Sequence, residues 1–488
     1  MKNYLLLILL VFWSIPNFSQ DFQMPKGPSQ DLNRGGNLQN SSIADSLMNR
    51  FGDKSTRLNK NPDAKIQDYL MITRQNDTIV VDTSLTIEKY HKINFLREDD
   101  FELIPFSNTG IAYNTLSFSA IKSIKPKMGA SNKYISYDSV DDVVYYDLPT
   151  PFTELMYRSV FEQGQLLDAV YAVNTSRQFN FSISRKGLRS LGNYQNFLSN
   201  TSNFSFTTNY LSKNRKLKIR SHYSNQKLFS EQNGGISDSD ISNFENGNSQ
   251  FLDRGVFDPN FENAHNEFLG KRFYSDQTYT LKEKDSLNNR SLEFFNSVYF
   301  EEKKYKFQQI SSDEFFGDSF ASQEINDKLF LNSFNLQTGL VLQSDKFGKF
   351  NLGLRYIADR YSLENYQIDD FVDNSQNINS KTTYLNGSYS KEFPKIKLKL
   401  NTENFIFGDN QSNSFSSIVK FNFKNDNSLA LKYNFYSVAP SYNTLLYRSN
   451  YENYNWDNEF DNSVTNSISL NLILSNILDL DIDLISVK

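Results

Sequence analysis

Residues 414–437 alternate between apolar and polar positions. Phe415, Ser417, Val419, Phe421 and Phe423 share one face of an extended chain, and Ser416, Lys420, Asn422 and Lys424 share the other. After Asn425-Asp426-Asn427 the pattern resumes, with Leu429, Leu431, Tyr433 and Phe435 opposing Ala430, Lys432, Asn434 and Tyr436. A period of two sends successive side chains to opposite faces of a strand, so this stretch predicts a β-hairpin with one apolar and one polar face.

The same texture recurs from Pro151 onward. It predicts strands over 152–160, 165–173, 177–186, 202–211, 216–225, 272–283, 290–301, 329–343, 349–359, 381–390, 395–405, 414–424, 428–437, 465–474 and 478–487. Residues 305–310 are read as an extension of the 290–301 strand above the membrane, because a break at Lys303-Lys304 would spoil the alternation of connections. Tight connections at 213–215, 345–348, 391–394, 425–427 and 475–476 alternate with longer polar ones, above all 225–271 and 438–465. Outer-membrane barrels show this asymmetry, with short periplasmic turns and long extracellular loops. A soluble sandwich has no reason to gather its long loops at one end. The expected fold is therefore all-β, a transmembrane antiparallel up-and-down barrel over 151–488. Its visible strands number about fifteen, one short of an even count of about sixteen. The last runs into Lys488 without a following turn, so a strand is expected either upstream or past Lys488.

Composition sharpens this picture. Mean hydropathy is −0.56, yet a barrel in lipid needs only alternate residues to be apolar, and 42 Phe and 28 Tyr supply material for aromatic girdles. Residues 1–20 carry Lys2, an apolar run from Tyr4 to Trp13 and a polar end, the layout of a secretory signal peptide. The absence of cysteine excludes a lipid-modified N-terminal Cys and any disulfide framework. Residues 21–64, rich in Asn, Ser, Gly and Lys, read as a mobile leader. Residues 65–150 lack the later rhythm and read as a periplasmic or lumen-inserted segment. A net charge of −5 is small for this length and argues against a nucleic-acid partner.

Within 82–192, the strings VDTSLTIEKYHKINFLREDDFELIPFSNTGIAYN, DDVVYYDLPTPFTELMYRS and FNFSISRKGLRSLGNY resemble the putative porin family of Bacteroidetes outer membranes. NGGI at 233–236 and SVAPSYNTLLYRSNYENYNW at 437–456 fit the same pattern. The resemblance covers most of the mature chain. It implies an outer-membrane β-barrel assigned as a porin, with no catalytic residues to carry over and with family members that extend beyond this chain's last residue.

If Leu217, Ile219 and Tyr223 face lipid, then Lys216, Lys218, Arg220 and His222 face the lumen. The same parity turns Arg355, Lys397, Lys399, Lys420, Lys432 and Glu403 inward, together with Lys349, Lys395 and Lys424. Asp479, Asp481 and Asp483 alternate with Leu478, Leu480, Ile482 and Leu484 and join them. Energetics dictates this choice, since Lys or Arg facing lipid at midplane costs about 2–4 kcal/mol. Such a wall either favours anions weakly or is simply the polar, mutually paired lining that any lumen needs; several of these lysines adjoin tight turns and would mark a rim. Tyr442, Tyr447, Tyr451, Tyr454 and Trp456, with Arg448, form an aromatic loop that either stacks on a sugar or peptide or folds against its neighbours.

Other chemistry finds little support. Phe316-Gly317-Asp318-Ser319 resembles a hydrolase block, but His91, His222 and His265 all precede Ser319 and none lies in the context of a catalytic base. Asp138, Asp141 and Asp142 lack the glycine and terminal glutamate of a calcium loop and are read as solvated. No cofactor, metal site or enzymatic activity is expected. The expected function is passive diffusion of small polar solutes across the outer membrane. The alternative is a plugged or gated transporter, or a non-conducting scaffold barrel. Expected partners are outer-membrane lipid, the solutes themselves and the barrel-assembly machinery, with a homo-oligomer left open.

Overall fold

The alternating segments all become strands. The computed structural model describes residues 63–488 except 85, 100, 117–122, 161–163, 248, 285–288, 321–323, 365–376, 424–426 and 476. The segment read as a signal peptide, residues 21–62 of the leader, and Lys424 with Asn425-Asp426 lie outside the described residues.

Five short strands come first: β1 (Leu70–Ile72), β2 (Thr78–Val80), β3 (Leu103–Pro105), β4 (Tyr113–Thr115) and β5 (Tyr145–Asp147). The long strands follow as β6 (Phe152–Val160), β7 (Gly164–Ser176), β8 (Phe179–Ser190), β9 (Ser199–Leu211), β10 (Leu217–Gln232), β11 (Ala264–Lys282), β12 (Arg290–Gln309), β13 (Ile325–Ser344), β14 (Gly348–Glu364), β15 (Asn377–Glu392), β16 (Ile396–Gly408), β17 (Asn413–Asn422) and β18 (Ser428–Val438). A loop containing the one-turn helix α1 (Ile241–Asn246) joins β10 to β11. Another holds α2 (Tyr442–Leu445), β19 (Leu446–Tyr447) and β20 (Trp456–Asp457), and leads to β21 (Ser463–Leu474) and β22 (Leu478–Val487). Strands β6 to β18, β21 and β22 form one 15-stranded antiparallel sheet in which every strand pairs with its neighbour in sequence. This is the up-and-down wall of a transmembrane β-barrel. No helix among the described residues is long and apolar enough to cross a membrane.

Several strands outrun the stretches that alternation marks. β10 continues to Gln232 and β11 begins at Ala264, so the expected loop over 225–271 contracts to 233–263, while β12 runs unbroken to Gln309, in line with the extension expected over 305–310. Backbone pairing does not require apolar side chains, and it continues where the outer residues become Lys227, Glu267, Lys304 and Lys306.

Side-chain direction follows the period of two throughout. In β10, Arg220, His222, Ser224, Gln226 and Leu228 are buried on the inner face. The outer face of the sheet exposes Tyr223, Leu340, Leu342, Phe350, Leu352 and Leu354, a surface stable in lipid rather than in water.

Residues 63–150 occupy the inner face. β1 pairs with both β2 and β5, and β3 with β4. Hydrophobic clusters bind this segment to the wall at successive levels. Val81, Tyr146 and Leu148 pack with Ala172, and Phe95 with Leu166 and Leu188. Ile124 packs with Ile357 and Tyr384, while Met128 joins Leu228, Phe268, Leu329, Leu331 and Tyr361.

Candidate functional site

The parity of β10 to β12 brings Arg220, His222, Arg272 and Glu301 inward, where they meet the N-terminal segment rather than open water. Arg220 is 5% exposed and His222 is 1% exposed. Both lie on the face expected of them, but neither lines a free passage, because residues 73–74 and Tyr145 cover them. Arg220 donates to the backbone carbonyls of Thr73 (2.6 Å) and Arg74 (3.1 Å) and pairs with Asp276. His222 Nε2 accepts from Arg272 Nε at 3.0 Å, so in the neutral ring Nδ1 carries the proton and donates to Tyr145 Oη at 2.8 Å.

Arg272, whose side chain is 0% exposed, completes its fork on the carbonyls of Asp138 (2.8 Å) and Ser139 (2.9 Å) and on Glu301 Oε1 (3.3 Å). Glu301 also accepts from Tyr137 Oη (2.8 Å) and Tyr299 Oη, and Lys303 Nζ lies 2.9 Å away. A buried ion pair persists only when its remaining donors and acceptors are satisfied. Here the segment's carbonyls and tyrosine hydroxyl satisfy them, which fixes the segment to the wall. Asp138, expected to be solvated, is half-buried instead: its carboxylate accepts from Asn203 (3.1 Å) and its amide donates to Gln226 (2.9 Å). Burial raises its carboxyl above the usual carboxylate range. Asp141 pairs with Arg74 at 2.7 Å, and Asp142 accepts from the Ser139 amide at 2.6 Å. Higher along the wall, Lys125 reaches Ser333 Oγ (2.7 Å) and Asp359 (3.5 Å), and burial lowers its ammonium below the usual lysine range.

The other inward charges form a second group. Arg355 and Glu403 pair at 2.9 Å. The register places Lys397 directly opposite Lys420, and Ile418 between Lys399 and Lys432. Across β21, Ser469 separates Lys432 from Asp483, and Asn471 precedes Asp481. Lys397 pairs with Glu392 beside the 393–395 turn, and Asn471 donates to Asp479 at 3.2 Å. Lys216 sits in a turn 3.5 Å from Glu283, and Lys218 is exposed nearby. Among the described residues, no hydrogen bond or ion pair joins residues 63–150 to the inner side chains of β17, β18, β21 or β22.

The aromatic loop mostly holds itself against the wall. Tyr442 stacks on Tyr361 and donates to Asp359 at 3.1 Å. Tyr451 donates to Gln309 at 2.6 Å and accepts from the Asp313 amide. Tyr447 stacks on Trp456, whose indole donates to the Asn443 carbonyl, and Arg448 lies 3.8 Å from Asp457. Tyr454 keeps 40% of its surface exposed. This loop borders a cavity of about 340 Å³ lined by Phe316, Tyr447, Tyr451 and Tyr454. A second cavity of about 570 Å³, walled by Phe106, Tyr134, Phe197 and Phe268, shares Lys133, Asn266 and Tyr305 with it. Together they make an aromatic vestibule at the long-loop end. Phe316 of the hydrolase-like block packs on Tyr451, and Ser319 forms a β-bridge with the same residue.

Sequence reasoning did not single out Arg272, Glu301, Lys125 or Asp359. Parity alone places Arg272, Glu301 and Asp359 inward; their partners in the segment carry no periodic signal.

No curated protein sequence matches the chain. Among solved structures, it is similar to the Pseudomonas aeruginosa receptor FpvA bound to a pyoverdine–iron complex, with 11% identity, TM-score 0.46, and coverage of 87% of this chain and 63% of that one. It is also similar to the siderophore receptor PirA of Acinetobacter baumannii, with 9% identity, TM-score 0.42, and coverage of 68% and 51%. For the Pseudomonas putida toluene transporter TodX the values are 11% identity, TM-score 0.25, and 58% and 81% coverage. The chain spans only about half to two-thirds of the two receptors. The family model described as "Putative porin" matches residues 65–488, and the chain belongs to that family.

Proposed function

We propose that the protein is a porin-like outer-membrane channel through which small polar solutes diffuse passively, along a path confined to one sector of the lumen. The observation that carries this reading is the contrast within the inner wall. From β6 to β15 the wall is covered by residues 63–150, whereas Lys397, Lys399, Lys420 and Lys432 on β16 to β18 face Asp479, Asp481 and Asp483 on β22 across a polar strip. Direct opposition of Lys397 and Lys420 is relieved in part by Glu392, which pairs with Lys397, and water solvating Lys420 relieves the rest. The near balance of ammonium and carboxylate groups supports at most a weak anion preference.

Single-channel recording on purified protein in planar bilayers tests this. Ohmic conductance with a small reversal potential in a salt gradient is expected, and a bilayer that stays sealed across salts overturns the reading. A gated version is favoured by one observation, the charge network that ties the segment to β11 and β12. The chain lacks cysteine, so Asp138→Cys with Asn203→Cys introduces the sole thiol pair, whose closure as a disulfide is checked by thiol titration before recording. Gating by segment movement predicts lower conductance when this pair is oxidised; equal conductance in both redox states excludes it.

A further inference from the structure

The outer surface of β11 to β15 carries a feature that neither the channel reading nor the family assignment requires. Register places Phe273, Phe300 and Phe334 side by side across β11, β12 and β13. Two residues toward the long loops, the outward positions are Lys271 on β11, Glu302 on β12 and Arg360 on β14, and Lys381 on β15 lies opposite Ala358. Together they border a groove of about 740 Å³ with a phenyl floor and a cationic lip.

The ion pairing of this surface is uneven. Nearer the long loops most outward cations are neutralised within the protein: Lys227 lies 2.5 Å and Lys306 3.4 Å from Glu267, and Lys328 lies 3.6 Å from Glu364, while Lys304 sits over the Phe330 ring, 4.7 Å from its centroid. Lys271, Arg360 and Lys381 border the phenyl floor and form no ion pair among the described residues. Glu302 is the one outward carboxylate in the groove. A cation facing lipid costs about 2–4 kcal/mol at midplane but about 0–1 kcal/mol near the interface. This lip therefore lies at headgroup depth, with its phenyl floor just inside the hydrocarbon. Phosphate oxygens are the acceptors found at that depth, and Arg engages them through two parallel N–H donors.

We propose that this groove binds the phosphate-bearing headgroup of a lipid in the leaflet on the long-loop side, with an acyl chain lying over Phe273, Phe300 and Phe334. The inference rests on the strands crossing a membrane and is independent of whether the barrel conducts.

The test uses the full-length protein in detergent, with diphosphoryl lipid A as probe and native mass spectrometry as readout. The variant K271Q/R360Q/K381Q should lose affinity at least tenfold, while K227Q/K306Q/K328Q should stay within about twofold of the parent, at a single salt concentration for all proteins. K271R/K381R should retain binding, which separates loss of charge from loss of fold. Dephosphorylated lipid A should bind as weakly to the parent as lipid A does to the first variant. Equal affinity of the two charge-removing variants overturns the proposal, as does phosphate-independent binding. Displacement of the lipid by millimolar inorganic phosphate would assign the site to free anions and overturn it too. Conductance recorded on the same variants keeps the outcomes separate, since a sealed bilayer defeats the channel reading alone.

Discussion

From β6 to β15 the inner positions meet residues 63–150, while on β17, β18, β21 and β22 they meet none of that segment's described side chains through a hydrogen bond or ion pair. Both sectors obey the same alternation and carry similar residue types. In the covered sector Arg272 and Glu301 are dehydrated and depend on each other and on borrowed carbonyls. In the open sector Lys397, Lys399 and the aspartates of β22 remain exposed. Inward orientation is therefore a property of the strand, whereas the worth of a charge depends on what shares its space.

Mutations should separate the sectors by their cost, read as urea-induced unfolding followed by tryptophan fluorescence in micelles. Arg272→Ala should be the most damaging, at about 3–5 kcal/mol, because it empties a buried site, takes the donor from His222 Nε2 and from the carbonyls of Asp138 and Ser139, and leaves Glu301 with Lys303 as its remaining close cation; a cost below about 1 kcal/mol would mean that water already reaches the network. Met128→Ala, which empties the junction between the segment and the four strands that carry Leu228, Phe268, Leu329, Leu331 and Tyr361, should cost about 2–5 kcal/mol. Tyr145→Phe leaves the Nδ1 proton of His222 without its acceptor and should cost about 1–3 kcal/mol. Lys420→Ala should change stability by no more than about 0.5 kcal/mol, yet shift the reversal potential toward cation preference in bilayers. If Lys420→Ala costs as much as Tyr145→Phe, the two sectors are not distinct.

Much of the wall was legible because each strand repeats one rule many times. Leu478 to Ile485 alone shows which residues meet lipid and which turn inward. Strand ends were less legible, since pairing persists past the apolar band, as the run of β10 from Gln226 to Gln232 against β11 from Ala264 to Gly270 shows. Inward placement of Arg220, His222, Arg355, Lys397 and Glu403 could be read from parity. Their environment could not, because the groups that cover Arg220 come from residues 73–74, far away in sequence, in a segment of three-residue strands whose order is imposed by the wall. Asp138 was misjudged for the same reason: its partners Asn203, Gln226 and Arg272 come from three separate strands. The aromatic loop offered two readings, and only contacts with Tyr361, Gln309 and Asp313 show that most of its rings pack inward.

The pairing of Leu70 in β1 with Asp147 in β5 closes the segment at its neck, near the tight turns where Asn209 donates to the Tyr146 carbonyl. Its far end lies at the long loops, where the amides of Tyr442 and Asn443 donate to the carbonyls of Lys127 and Met128. Topologically this is a clasped bight: the chain enters and leaves by the same mouth. A bight whose two ends lie side by side can leave the inner face of the wall as a doubled strand, with no wall strand unpaired.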